Sequence, residues 1–194
     1  MKPDVFCSED KCDAWIAENL AGALPVKGFY VDIGCANPDR NSNTLFLRER
    51  GWLGLAIDAH PGYAGFWKNN FVQAVISPHP VVPFTFDEVP TMSRIGQSDK
   101  CTLVATTRLE TILRALGVKS IDLLSVDAEG HEYDIFQTFD IEEFKPRIIV
   151  AEYNTLGLGM DMRLLLELQD GGKYRAVHQT PSNLIYLRKP EASA

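Results

Sequence analysis

Residues 30–39 read Tyr-Val-Asp-Ile-Gly-Cys-Ala-Asn-Pro-Asp, YVDIGCANPD. An apolar run meets an acid, Asp32, and then a single glycine, Gly34, as happens where a parallel strand ends in a ligand-binding turn. A dinucleotide fold would continue as G-x-G-x-x-G, so that backbone N–H groups and a helix N-terminus cradle a pyrophosphate. Here Cys35, Ala36 and Asn37 follow instead, Asp32 and Asp39 bracket the turn, and Pro38 removes one donor. Carboxylates repel phosphate. The turn suits a ligand with an ammonium or sulfonium group and no phosphate, a description that S-adenosylmethionine fits.

Outward from this turn, strand and helix signals alternate, which predicts a parallel α/β sheet. A helix over about 10–24, within an N-terminal lead-in of about 1–27, carries Trp15, Ile16 and Leu20 on one face. Strands are expected at G-F-Y-V-D-I, L-G-L-A-I-D (ending at Asp58), F-V-Q-A-V-I, C-T-L-V-A-T, I-D-L-L-S-V-D and R-I-I-V-A-E. Ser42 or Asn43 is placed to N-cap a helix through Leu45–Leu47 that Gly51 ends, and His60-Pro61 to open a short one. Thr107 and Glu110 have capping-box spacing, and a further helix follows Gly130. Asp161 is placed to cap a helix through Leu168, closed by Gly171-Gly172. K-Y-R-A-V-H and N-L-I-Y-L-R, joined at Thr-Pro-Ser, predict a C-terminal antiparallel hairpin. The stretch 78–100, with Pro78, Pro80, Pro83 and Pro90, reads as an irregular loop over the site, where Ser93, Arg94 and Gln97 could meet a polar acceptor. The whole reads as a single doubly wound (Rossmann-like) domain over 1–194.

With 194 residues, 45% apolar and 23% charged, the chain is long enough for one full core. A net charge of −7 without a Lys/Arg run disfavours nucleic acid. No apolar stretch nears the roughly 18 residues that span a bilayer, and the acidic first 25 residues do not read as a signal peptide. Cys7, Cys12, Cys35 and Cys101 lack a framework spacing. Cys7 and Cys12 could form half of a zinc site, but no second pair accompanies them, so free thiols in a reducing cytoplasm are the expectation.

Ligands of open α/β sheets bind beyond the carboxyl ends of the strands. Those ends deliver Asp32-Ile33-Gly34, Asp58, Asp127-Ala128-Glu129-Gly130 and Glu152-Tyr153-Asn154 to one edge. One such acid is often a helix cap; four together call for something positive between them. Asp58 could accept both hydroxyls of a ribose diol, in a methyl donor or in NAD alike.

Three motifs taken in order are G-F-Y-V-D-I-G-C-A-N-P, S-N-T-L-F-L-R-E-R-G-W-L-G-L-A-I-D-A-H-P and I-D-L-L-S-V-D-A-E-G-H-E. With R-I-I-V-A-E closing the next strand, they resemble the FkbM-type methyltransferases, class I S-adenosylmethionine-dependent enzymes. The resemblance runs from about Ser8 to N-L-I-Y-L. It implies a seven-stranded sheet with an antiparallel last strand, and methyl transfer to a hydroxyl of a sugar, glycan or secondary metabolite. It further implies that Asp32, Gly34, Cys35 and Asn37 line the methionine end of the cofactor, that Asp58 and Ala59 hold the ribose and adenine side, and that Ala74 and Val75 flank the adenine. Members often show a shorter G-A-N-x-G turn where this chain has C-A-N-P-D, Glu where it has Asp58, and Val where it has Ala128.

Transfer to an alcohol needs alignment and a base. Asp127, Glu129 and His131 are the catalytic candidates, although Gly130 could merely set the turn, Glu132 could sit on a helix dipole, and His131 could be solvated. Asp127 with Glu152 and Asn154 resembles the Mg²⁺ sites of some O-methyltransferases; equally, Glu152 and Asn154 could bind substrate hydroxyls directly. The competing functions are an NAD(P)-dependent oxidoreductase, which the missing phosphate loop opposes, and a non-catalytic cofactor-binding module.

Overall fold

The computed structural model describes residues 5–67, 70–86, 93–96, 101–153 and 172–190. Five short apolar strands lie parallel at its centre: β1 (Phe29–Ile33), β2 (Leu53–Asp58), β3 (Phe71–Gln73), β7 (Leu123–Val126) and β8 (Ile148–Glu152). The C-terminal hairpin, β9 (Tyr174–Gln179) and β10 (Asn183–Arg188), adds to the β8 edge, with β10 antiparallel to its neighbours. The order is β3-β2-β1-β7-β8-β10-β9, a seven-stranded sheet as the resemblance implied. Strand order reverses beside β1, so the crevice at a topological switch point opens between β1 and β7.

Side chains alternate across this sheet, and each face has its own core. Val31, Ile33, Leu55, Ile57, Leu124, Val126, Ile149 and Ala151 face the side covered by α3 (Leu109–Ala115), α4 (Glu132–Phe136) and α5 (Ile141–Phe144). Tyr30, Leu123, Ile148, Val150 and Ile185 face the opposite side, under α1 (Cys12–Asn19) and α2 (Leu45–Glu49). Leu109 and Leu113, one helical turn apart and both fully buried, are worth about 1.5–3 kcal/mol each in apolar burial. Helices on both faces make the sheet doubly wound.

Several local expectations need correction. The stretch 78–100 is not wholly irregular: β4 (Val81–Thr85) pairs with β5 (Arg94–Ile95) and β6 (Thr102–Ala105) in a separate three-stranded antiparallel sheet. The prolines hid the inward alternation of Val82 and Phe84. The C-T-L-V-A-T strand therefore belongs to this small sheet. The third strand stops at Gln73, with Ile76 making only an isolated parallel bridge to Thr107. Arg108, not Thr107, occupies the N-cap of α3, so no capping box forms. The N-terminus of α3 is satisfied instead by Thr138, whose Oγ1 accepts from the N–H of Leu109 (3.1 Å) and whose carbonyl accepts from Glu110 (3.2 Å). Glu110 pairs with Arg108 and Arg114. Thr44, not Ser42 or Asn43, occupies the N-cap of α2. The helix expected at Asp161–Leu168 lies outside the described residues. No helix among the described residues is long and apolar enough to cross a membrane.

The sheet closes around one glycine. Gly34 has φ +72°, and a Cβ there would stand 1.6 Å from the carbonyl oxygen of Asp127. The contact is locked by hydrogen bonds from Asp127 N–H to the Ile33 carbonyl (3.0 Å) and from Gly34 N–H to the Ile57 carbonyl (2.9 Å). Any side chain must push β1 and β7 apart at the mouth of the crevice. Gly34→Ala is expected to destabilise by more than ~4 kcal/mol, the range that marks backbone clash and strain. Urea denaturation checks this; an unchanged midpoint would contradict the packing described.

Candidate functional site

A cavity of about 430 Å³ lies over the carboxyl ends of the strands. Asp32, Gly34, Cys35, Asp58, Ala59, Ala74, Val75, Asp127, Glu129, His131 and Glu152 all line it. Asn37 does not. Its Oδ1 accepts from the Asp39 N–H (2.9 Å), and it shapes the outside of the turn. Asn154 and Gln97 lie outside the described residues. Ser93, Arg94, Ile95 and Phe84 of the small sheet, Ser42 and Asn43 before α2, and Glu9 and Ser182 near the two ends of the chain complete the walls.

The turn after β1 spends its donors on the protein itself. Gly34 and Cys35 both donate to the Ile57 carbonyl (2.9 and 3.2 Å), and Ala36 N–H donates to Asp58 Oδ2 (2.9 Å). Asp58 Oδ1 takes the N–H of His60 (2.8 Å), which fixes the carboxylate plane at the end of β2. Ala36 is held at φ +43° by Trp67, whose Nε1–H donates to its carbonyl (2.7 Å), and the Arg48 guanidinium stacks 4.8 Å from the Trp67 ring. Burial pushes the Asp58 carboxyl up, against the two backbone donors that hold it down.

Asp32 is buried beneath the turn. Its Oδ2 accepts from Thr44 Oγ1 (2.6 Å), and Ser125 also hydrogen-bonds it. Ser125 Oγ in turn accepts from Asn43 Nδ2 (3.2 Å). Thus Thr44 serves Asp32 directly, Asn43 serves it through Ser125, and Ser42 accepts from the Thr44 N–H (3.2 Å). The sequence suggests Ser42 or Asn43 as helix starters; their spacing carries no signal of a tertiary partner. Burial raises the Asp32 carboxyl to about 6 despite these donors.

On the other side of the crevice stands the 127–132 segment. Asp127 follows directly on the end of β7 and presents its carboxylate to the cavity. Burial first, then the charges of Glu152, Glu129 and Glu132, hold it well above the ordinary carboxylate range, and its hydrogen bond to Glu152 requires a shared proton. Glu132 is buried and accepts from the N–H groups of Ala128 (2.7 Å) and Gly130 (3.2 Å). It holds the turn from within rather than sitting on a solvated helix end. That turn is strained, with Glu129 at φ +54° and Gly130 at +96°. The strain presents Glu129 to the cavity, half-buried and without a hydrogen bond among the described residues. Burial and Glu132 raise its carboxyl while Arg94 lowers it.

His131 lines the cavity, but its ring is used in structure. Nε2 lies 2.9 Å from the Ile95 carbonyl and Nδ1 lies 3.4 Å from Asp134 Oδ2. Both ring nitrogens therefore face oxygen atoms of the protein itself. The ring straps β5 of the small sheet to the start of α4. As for metal, no group of three His, Cys, Asp or Glu among the described residues has holding geometry. Of the expected Mg²⁺ set, Asp127 and Glu152 line the cavity together, while Asn154 lies outside the described residues.

An acid whose carboxyl is raised in the folded state stabilises the fold only while protonated. Asp32 therefore contributes fully below its unfolded value near 4 and loses that contribution as pH rises through about 6, up to about 3 kcal/mol. Asp32→Asn is expected to stabilise the ligand-free protein at pH 8 and to change it little at pH 4. Chemical denaturation at the two pH values checks this; a variant less stable at pH 8 would contradict it.

No curated protein matches the chain. A family model described as the methyltransferase FkbM domain matches residues 32–174, from the acid beneath the turn to the first residue of the hairpin. The match spans most of the chain and includes both walls of the crevice, so the chain belongs to the FkbM methyltransferase family.

Proposed function

We propose that the protein uses S-adenosylmethionine to methylate a hydroxyl of a small molecule or glycan, such as a sugar or secondary metabolite. The observation that carries this reading is the fate of the strand-end donors. Gly34, Cys35, Ala36 and His60 direct their N–H groups at the protein's own carbonyls and at Asp58, and Pro38 has none. A pyrophosphate would find carboxylates where it needs donors. A sulfonium and an ammonium would find Asp32, Asp58 and Asp127, all raised by burial and so relieved by a cation.

The residues present fit the cofactor. Asp58 retains lone pairs for ribose hydroxyls beyond those given to Ala36 and His60. Ala59, Ala74, Val75 and Phe84 supply an apolar wall for an adenine. Asp32 and the Gly34–Cys35 turn face the methionine end. When bound, S-adenosylmethionine supplies an electrophilic methyl group. Glu129, uncommitted and raised, takes the proton of the acceptor hydroxyl, and Asp127 with Glu152 orients it. A reducing, cytoplasmic setting belongs to the same reading, since all four cysteines are unpaired.

S-adenosylhomocysteine is expected to raise the melting temperature, whereas NAD and NADP are not. Stabilisation by NAD alone would sink the methyl-transfer reading. Asp58→Ala is expected to weaken S-adenosylhomocysteine binding by ~1–3 kcal/mol in calorimetry, and unchanged affinity would remove Asp58 from the ribose site. Glu129→Gln is expected to slow transfer ~10²–10⁴-fold while cofactor binding survives, and EDTA is expected to have no effect. Full turnover in Glu129→Gln would move the base elsewhere; loss of activity in EDTA, restored by Mg²⁺, would revive the metal reading.

A further inference from the structure

We propose that Glu9 selects the acceptor by charge and that Asp10 is the positioning residue that holds it at the cavity. The inference rests on the methyl-transfer reading and concerns residues outside the family-matched span, 32–174. Glu9 lines the cavity, is exposed to it, and makes no hydrogen bond or ion pair among the described residues. Its backbone is tied on both sides. Before it, Asp13 takes the N–H groups of Cys7 (2.6 Å) and Ser8 (3.0 Å) and the Ser8 hydroxyl (2.6 Å). After it, Lys11 turns the chain at φ +58° into α1.

Asp10 crosses to the other end of the molecule. Its Oδ2 accepts from Thr180 Oγ1 (2.7 Å) and from the N–H of Ser182 (2.9 Å), in the turn between β9 and β10. That turn is fixed in turn to the exit of β8, where Tyr153 N–H donates to the Ser182 carbonyl (2.9 Å) and the Tyr153 hydroxyl to the Thr180 carbonyl (2.8 Å). One carboxylate thus joins the N-terminal segment to the hairpin and sets Glu9 and Ser182 side by side in the wall. Asp10 stays ionised: burial opposes this, but the hydrogen bonds of this turn outweigh it.

The consequence is a preference for one charge class. Glu9 is near enough for its charge to act on Glu129, so an acceptor approaching Glu129 passes between two carboxylates that have no hydrogen-bond partner among the described residues. Carboxylates accept from hydroxyl and ammonium groups and repel acids. Arg94, whose side chain also lines this mouth, acts on Glu129, and Glu9 makes no ion pair among the described residues. The acceptor is hydroxyl-bearing and neutral or cationic, not anionic.

Three probes of one shape separate the outcomes: methyl β-D-glucosaminide, methyl β-D-glucoside and methyl β-D-glucuronide. Their affinities are measured by calorimetry with S-adenosylhomocysteine present. The wild type is expected to rank glucosaminide first and glucuronide last, and Glu9→Lys to swing the ratio of these two about tenfold toward glucuronide. Asp10→Ala is expected to flatten the ranking while S-adenosylhomocysteine affinity stays within about twofold, and Asp10→Asn, whose amide oxygen can still accept, to restore it. A structural role alone would lower stability without altering charge preference. An order untouched by Glu9→Lys, or no binding by any of the three, overturns the inference. Failure of S-adenosylhomocysteine to bind the wild type overturns the methyl-transfer reading itself.

Discussion

Carboxyl groups crowded at one sheet edge are the constraint around which this protein is arranged. Asp32, Asp58, Asp127, Glu129 and Glu132 are all raised by burial. Each of four is countered locally: Asp32 by Thr44 and Ser125, Asp58 by two N–H groups, Glu132 by two more, and Asp127 by a proton shared with Glu152. Among the described residues Glu129 alone has no such donor, and the strained backbone beneath it keeps it in the cavity. A half-buried carboxylate left uncommitted is costly to the fold and useful to chemistry.

The scaffold that tolerates this crowding is tightly packed. β1 and β7 meet so closely at Gly34 that the crevice cannot relax by spreading. Two apolar cores, one on each sheet face, hold the strand ends in register. The small sheet closes the cavity from above through Phe84 and Ile95, and the His131 ring ties it to the start of α4. His131, a candidate base in the sequence, is thus also a fastening.

Much of this was legible in the chain. The strands around Asp32, Asp58, Asp127 and Glu152 could be located because apolar runs end in acids, a pattern local to each segment. The hairpin was visible for the same reason. What the sequence hid was tertiary supply. Thr138 caps α3 from 29 residues away, a partner that no local spacing announces. Ser42 and Asn43 look like helix starters, yet Thr44 takes the N-cap and also reaches Asp32, while Asn43 serves Ser125. The proline-rich 78–86 stretch conceals a strand whose inward residues pack against Val75. The link from Asp10 to Thr180 joins the two ends of the chain and could be found only in the folded state.

The central claim is that the cavity seeks a cation through buried carboxylates. The most direct measurement is the ratio of S-adenosylmethionine to S-adenosylhomocysteine affinity from pH 5 to pH 8, since the two differ by one methyl group and one positive charge. Asp32, raised to about 6, ionises across this window. The account predicts that the charged ligand gains on the neutral one as pH rises, by up to about tenfold. A ratio independent of pH would contradict it.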